Sequence, residues 1–135
     1  MDALFHHAFL VRDLGAARAF YGGLLGCREG RSEPSWVDFD FFGHQISLHL
    51  GAPAVSPTRG EVDGIEVPMP HFGAILGWEA FDALAARLEA AGTVFVIPPQ
   101  HRYAGRPEEQ KTMFLLDPSG NALEFKAFRD EGAIY

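Results

Sequence analysis

Between residues 36 and 50 the chain reads "WVDFDFF", Gly43-His44, then "QISLHL". Apolar and polar positions alternate, the chain turns, and the alternation runs back, which is the period of a β-hairpin with one buried face. Ahead of it, "ALFHHAFLV" (3–11) has the Phe and Leu content of a strand and stops at "RD". Asp13 can cap a helix over "LGAARAFYGGLLG", where Leu14, Ala17, Phe20, Tyr21 and Leu24 recur at helical spacing and Gly26 ends the run.

The order then repeats. "HFGAILGW" (71–78) reads as a strand and "EAFDALAARLEAAG" (79–92) as an amphipathic helix with Phe81, Leu84, Ala85 and Leu88 on one face and Gly92 as its stop. "TVFVIPP" (93–99) is a strand, 100–111 a polar loop, and "TMFLLDPSGNALEFKAF" a hairpin around the Asp117–Gly120 turn. "RDEGAIY" closes the chain as a partly mobile tail. Between the halves, residues 51–70 are rich in Pro, Gly and charge and read as a linker with little regular structure. The expectation is one domain over 1–135: module one at about 3–50, the linker, and module two at about 71–128. Two tandem βαβββ modules make the fold class α+β.

Strand side chains alternate between faces. In the last strand Leu123, Phe125 and Ala127 share the face that packs under a helix, and Glu124 points the other way. In module one Ile46, Leu48 and Leu50 take the helix side, leaving Gln45, Ser47 and His49 opposite, so His49 is expected to match Glu124. His71 begins the first strand of module two; His6 takes that place in module one, with His7 on the other face, an assignment that a one-residue slip would exchange. His6, His49, His71 and Glu124 would then meet over one concave surface, and three imidazoles with one carboxylate suit a divalent transition metal.

The chain of 135 residues carries a net charge of −7, which argues against nucleic-acid binding. No apolar run is long enough to span a membrane and no leader-like segment opens the chain, so a cytoplasmic protein is expected. A single cysteine, Cys27, excludes an internal disulfide and suits a reducing compartment. The loop at 100–111 offers His101 and Tyr103 as acid–base groups, Arg102 for a substrate carboxylate, and the Gly105 and Pro107 of a lid. Trp36 is a candidate wall of a substrate pocket, and His49 is a catalytic base if it is not a ligand.

"HHAFLVRDLGAARAFYGGLLG" and "FLLDPSGNALEF" resemble the two signatures of the vicinal oxygen chelate superfamily: an early His on a strand, Asp13-Leu14, Phe20-Tyr21 and Leu25-Gly26, then D-P-x-G-N and L-E. That family includes glyoxalase I, extradiol dioxygenases, fosfomycin-resistance transferases and bleomycin-binding proteins. The resemblance implies a cup-shaped mixed sheet with helices on its convex face, and a metal cup with ligands at His6, His71 and Glu124 and a fourth position at His49. A His-His-Glu set is similar to that of the extradiol dioxygenases and the fosfomycin transferases. Fe(II) is the metal expected first, with Mn, Ni and Zn as alternatives. The expected activity is ring cleavage of a small catechol-like molecule. The alternatives are a glyoxalase I-like lyase or isomerase, and a metal-free small-molecule binding protein. The resemblance also implies a homodimer, the cup lying within one chain or shared between two.

Overall fold

A computed structural model describes residues 2–55, 59–62 and 64–135. The chain divides into two compact units: unit one holds residues 1–55 with the turn Asp117–Asn121, and unit two holds 56–116 and 122–135.

Unit one contains β1 (His6–Val11), helix α1 (Leu14–Ala17) running on into a wider π-helical stretch (Arg18–Leu24), then β2 (Arg28–Glu33), β3 (Trp36–Phe41) and β4 (His44–Leu50). Asp13 caps the helix as expected, its Oδ1 accepting the Ala16 amide at 3.0 Å. Gly26, at φ +76, lets the chain leave it. The strand order is β1-β4-β3-β2, with β1 parallel to β4 and the other neighbours antiparallel. Tyr21 is fully buried at the centre of the core, its ring 4.9–6.4 Å from those of Phe9, Phe20, Phe39 and Phe41. The tight turn is Phe42-Gly43, with φ of +51 and +90, so His44 opens β4 rather than sitting in the turn. Leu50, expected on the helix side, is half exposed at the strand end.

Unit two repeats the topology. It contains β7 (Phe72–Ile75), α2 (Trp78–Ala90), β8 (Phe95–Arg102), β9 (Gln110–Leu116) and β10 (Ala122–Phe128) in the order β7-β10-β9-β8, with β7 parallel to β10. Phe81, Leu84, Ala85 and Leu88 are buried along one stripe of α2, and Leu123, Phe125 and Ala127 are fully buried on β10, as the alternation requires. Gly92 at φ +75 follows the helix end.

Four strands differ from expectation. β2, "REGRSE", pairs with β3 although all six of its residues are exposed. Within the linker, β5 (Arg59–Val62) and β6 (Ile65–Pro68) form a two-stranded hairpin; the expectation of a linker at residues 56–58 and 63 falls outside the described residues. β8 runs to Arg102, pairing His101 with Lys111, so the loop is confined to 103–109. The tail contains a 3₁₀ turn at Glu131–Ala133, capped by Asp130.

Candidate functional site

Register sorts the helix-free face of unit one into three rows. His6 lies beside Gln45 and Asp40, Ala8 beside Ser47 and Asp38, and Leu10 beside His49 and Trp36. Neighbouring rows are two residues, roughly 7 Å, apart along the strands. His6 and His49 therefore share a face but stand at its opposite ends, about 13 Å apart by strand rise. His7 falls on the other face, its ring stacked 5.2 Å from Phe9, and burial followed by repulsion from His6 pushes its pKa down.

The same rule applied to unit two places Glu124 beside Gly73 and Phe114. His71 directly precedes β7, so it stands in the row before, as His6 stands one row before Ser47. Ser47, not His49, is therefore the residue that matches Glu124. The expected match of His49 with Glu124 is corrected: each takes the equivalent face of its own sheet, but not the equivalent row. His49 is exposed and stacks on Trp36, ring centres 6.4 Å apart.

His71 and Glu124 meet. The imidazole Nε2 is 3.4 Å from Glu124 Oε1, and both side chains are largely shielded. On the other side of the ring, Nδ1 donates to the Pro68 carbonyl at 2.6 Å. In the neutral ring that bond puts the proton on Nδ1 and leaves a lone pair on Nε2, aimed at an oxygen that also has only lone pairs. Two acceptors face to face need a cation between them or a proton on the ring. Without metal the proton serves: the Glu124 hydrogen bond first, then the Pro68 carbonyl, raise the His71 pKa against the opposing effect of burial. Adjacent ligand atoms about 2.1 Å from one metal lie roughly 3.0–3.4 Å apart, so the pair fits two corners of a coordination shell. The bond from Nδ1 to a backbone carbonyl is the usual support of a metal-bound imidazole. Among the described residues, no group of three or more His, Cys, Asp or Glu side chains is gathered to hold a metal.

Gly73 makes the pair possible. A Cβ there would overlap the Glu124 carbonyl oxygen, so only glycine lets β7 run this close to β10. Sequence reasoning passed over it; the signal was a glycine inside an apolar strand.

His101 stands apart from the pair. Its row contains Lys111 and Ala127, on the face that carries α2, and its ring packs edge-on against Trp78 with centroids 5.7 Å apart. Nε2 lies 2.7 Å from Glu109, a buried carboxylate that also accepts the Gly105 amide and Arg129. These contacts, with that amide first, pull the Glu109 pKa down. His101 is thus part of a brace for the 103–109 loop, where a catalytic group on a free lid was expected. Arg102 lies one residue on, so alternation puts it on the face of Glu124, two strands away. Tyr103 adopts φ +56, and the guanidinium groups of Arg102 and Arg106 lie 5.0 and 5.5 Å from its ring centre.

The "DPSGN" turn is a structural centre of hydrogen bonds. Asp117 is buried and accepts the Tyr21 hydroxyl at 2.8 Å, the Ser119 and Asn121 amides, and the Asn121 side chain. Ser119 receives the Arg12 amide and guanidinium, and Asn121 donates to the Leu10 carbonyl. Burial and the neighbouring Asp117 push the Tyr21 pKa well up, so the phenol stays a donor.

The Glyoxalase/Bleomycin resistance protein/Dioxygenase superfamily model matches residues 3–125, and the chain belongs to that superfamily. A glyoxalase/bleomycin resistance protein/dioxygenase from Alicyclobacillus acidocaldarius is 34% identical, with a TM-score of 0.83 over 99% of this chain and 97% of that one. The fosfomycin resistance protein FosX from Listeria monocytogenes, in a crystal form with Mn(II) and sulfate, is 19% identical, with a TM-score of 0.72 over 99% and 96%. A glyoxalase/dioxygenase from Nostoc punctiforme is 19% identical, with a TM-score of 0.69 over 95% and 92%. At these lower identities the likeness concerns the fold. No curated protein matches the chain. Among the described residues no helix is long and apolar enough to cross a membrane.

Proposed function

We propose that this protein is a metal-dependent enzyme of its superfamily that binds one divalent cation through His6, His71 and Glu124 and acts on a small substrate with vicinal oxygens, as an extradiol-type dioxygenase does. The observation that carries the reading is the His71–Glu124 pair, in which an imidazole Nε2 and a carboxylate oxygen stand 3.4 Å apart with the ring locked by Pro68. The register supports a three-ligand set: where Glu124 supplies a carboxylate in unit two, unit one has the Ser47 hydroxyl, already donated to Asp38. Two His and one carboxylate leave open coordination positions, and a metal held so would polarise two neighbouring substrate oxygens and, as Fe(II), bring in O₂ chemistry. Mn, Ni and Zn are the alternatives, with isomerase chemistry of the glyoxalase I kind. Arg102, on the Glu124 face, is the residue proposed to meet a substrate carboxylate, and Trp36 and His49 border the open face of unit one. The homodimer implied by the resemblance belongs to the same proposal, and light scattering at twice the monomer mass is its check.

The test is an anaerobically prepared, Fe(II)-loaded sample mixed with catechols under an oxygen electrode. Oxygen uptake tied to ring-cleaved product is expected. A protein that binds catechols but takes up none of Fe, Mn, Ni or Zn is a binding module, and the enzymatic reading is lost.

A further inference from the structure

Unit one contains a chain of polar contacts that ends on the proposed ligand His6. Ser47 Oγ donates to Asp38 Oδ1 at 2.5 Å. Asp38 Oδ2 accepts from Gln45 Nε2 at 3.3 Å. Gln45 Oε1 lies 2.8 Å from His6 Nδ1. The direction of each bond follows from donor and acceptor counts. A carboxylate only accepts, so Gln45 must turn its NH₂ toward Asp38. Its carbonyl oxygen then faces His6, and a carbonyl oxygen only accepts, so Nδ1 must bear the proton. In the neutral ring the lone pair then lies on Nε2.

His71 reaches the same state by a different route, through the Pro68 carbonyl. Two histidines, one in each unit, thus present Nε2 with Nδ1 tied back. The supports differ: one is fixed main chain, the other a side-chain relay that runs across three strands, from Asp38 on β3 through Gln45 on β4 to His6 on β1. Asp38 and Gln45 also border a cavity of about 590 Å³ in unit one, with Arg28 and Arg31 on its wall.

We infer that Asp38 and Gln45 are positioning residues: Asp38 orients the Gln45 amide, and Gln45 holds His6 in the tautomer whose Nε2 can take a metal. The inference rests on the proposed ligand role of His6. It predicts that an uncharged side chain at 38 or an apolar one at 45 disorders the tautomer without disturbing the fold, Gln45 being exposed.

The experiment has two readouts. Long-range ¹H–¹⁵N spectra of ¹⁵N-histidine-labelled, metal-free protein report which ring nitrogen of His6 bears the proton. Mn(II) titration followed by the EPR signal of free ion reports affinity. In the parent protein His6 should show Nδ1–H and bare Nε2. Gln45→Met should shift it toward Nε2–H and weaken Mn(II) about 10–100-fold, the usual effect of losing such a support. Gln45→Glu, which keeps an acceptor, should retain Nδ1–H. Asp38→Asn, which can donate as well as accept, should give mixed tautomers. An unchanged His6 tautomer in both Gln45→Met and Asp38→Asn overturns the relay. Unchanged Mn(II) affinity in His6→Ala instead overturns the ligand role on which it rests, and the two failures are told apart by which variant is silent.

Discussion

Glu124 is held between two demands. It sits on a strand whose alternate residues, Leu123 and Phe125, are fully buried, and it faces a histidine whose near nitrogen has no proton to offer in the neutral ring. Glu124→Gln removes the one charge of the proposed ligand set and should abolish tight metal binding while leaving the fold intact, measured by elemental analysis and circular dichroism on the same sample. In metal-free protein the substitution also removes the main cause of the raised His71 pKa. The sign is definite: a histidine whose pKa is raised by folding adds stability below its unfolded pKa, and loses it as the pH climbs through the folded value. The parent protein without metal should therefore lose stability across that window more steeply than Glu124→Gln, with urea midpoints as the measure. Equal pH slopes would remove the imidazole–carboxylate bond from the account.

At the level of elements, the weak place is the seam between β7 and β10. Gly73→Ala forces a methyl group into the Glu124 main chain; overpacking of this kind costs about 1–3 kcal/mol, readable as a lower urea midpoint, and it should also displace the His71 ring signals. The loop at 103–109 depends on Glu109, whose carboxylate gathers Gly105, His101 and Arg129. A carboxyl with a lowered pKa stabilises above its unfolded value and ceases to do so as the pH falls through the folded one. Glu109→Gln should speed exchange of the Gly105 amide at neutral pH and make no difference in acid. Elements with a strong period were legible beforehand: both helices, their Asp13 and Gly92 boundaries, and β3, β4 and β10. β2 was not, because "REGRSE" has no apolar face and gains its place only by pairing with β3. The false match of His49 to Glu124 has a simple origin. Alternation specifies the face a strand residue takes, and Ser47 and His49 share one; only the ladder to β1 says which row each occupies.

On the scale of the whole chain, the duplication was legible because both halves run strand, helix, strands, and the ladders bear it out by repeating one order, with the first strand parallel to the last. What could not be read was the allegiance of the "DPSGN" turn, since its hydrogen bonds run to residues about a hundred positions earlier. A metal bound as proposed should stabilise the folded protein by linkage: Mn(II) at a hundred times its dissociation constant adds about 2.7 kcal/mol, seen as a higher melting temperature in the parent and none in Glu124→Gln.

The phenol of Tyr21 draws a last consequence from that turn. Its one carboxylate acceptor, Asp117, is encoded 96 residues downstream, so a peptide stopping at Val55 would inherit a sealed hydroxyl with nobody to receive it. Unit one is thus completed by a turn encoded far downstream of its other residues, and expressing residues 1–55 alone should yield an unfolded product by one-dimensional proton NMR.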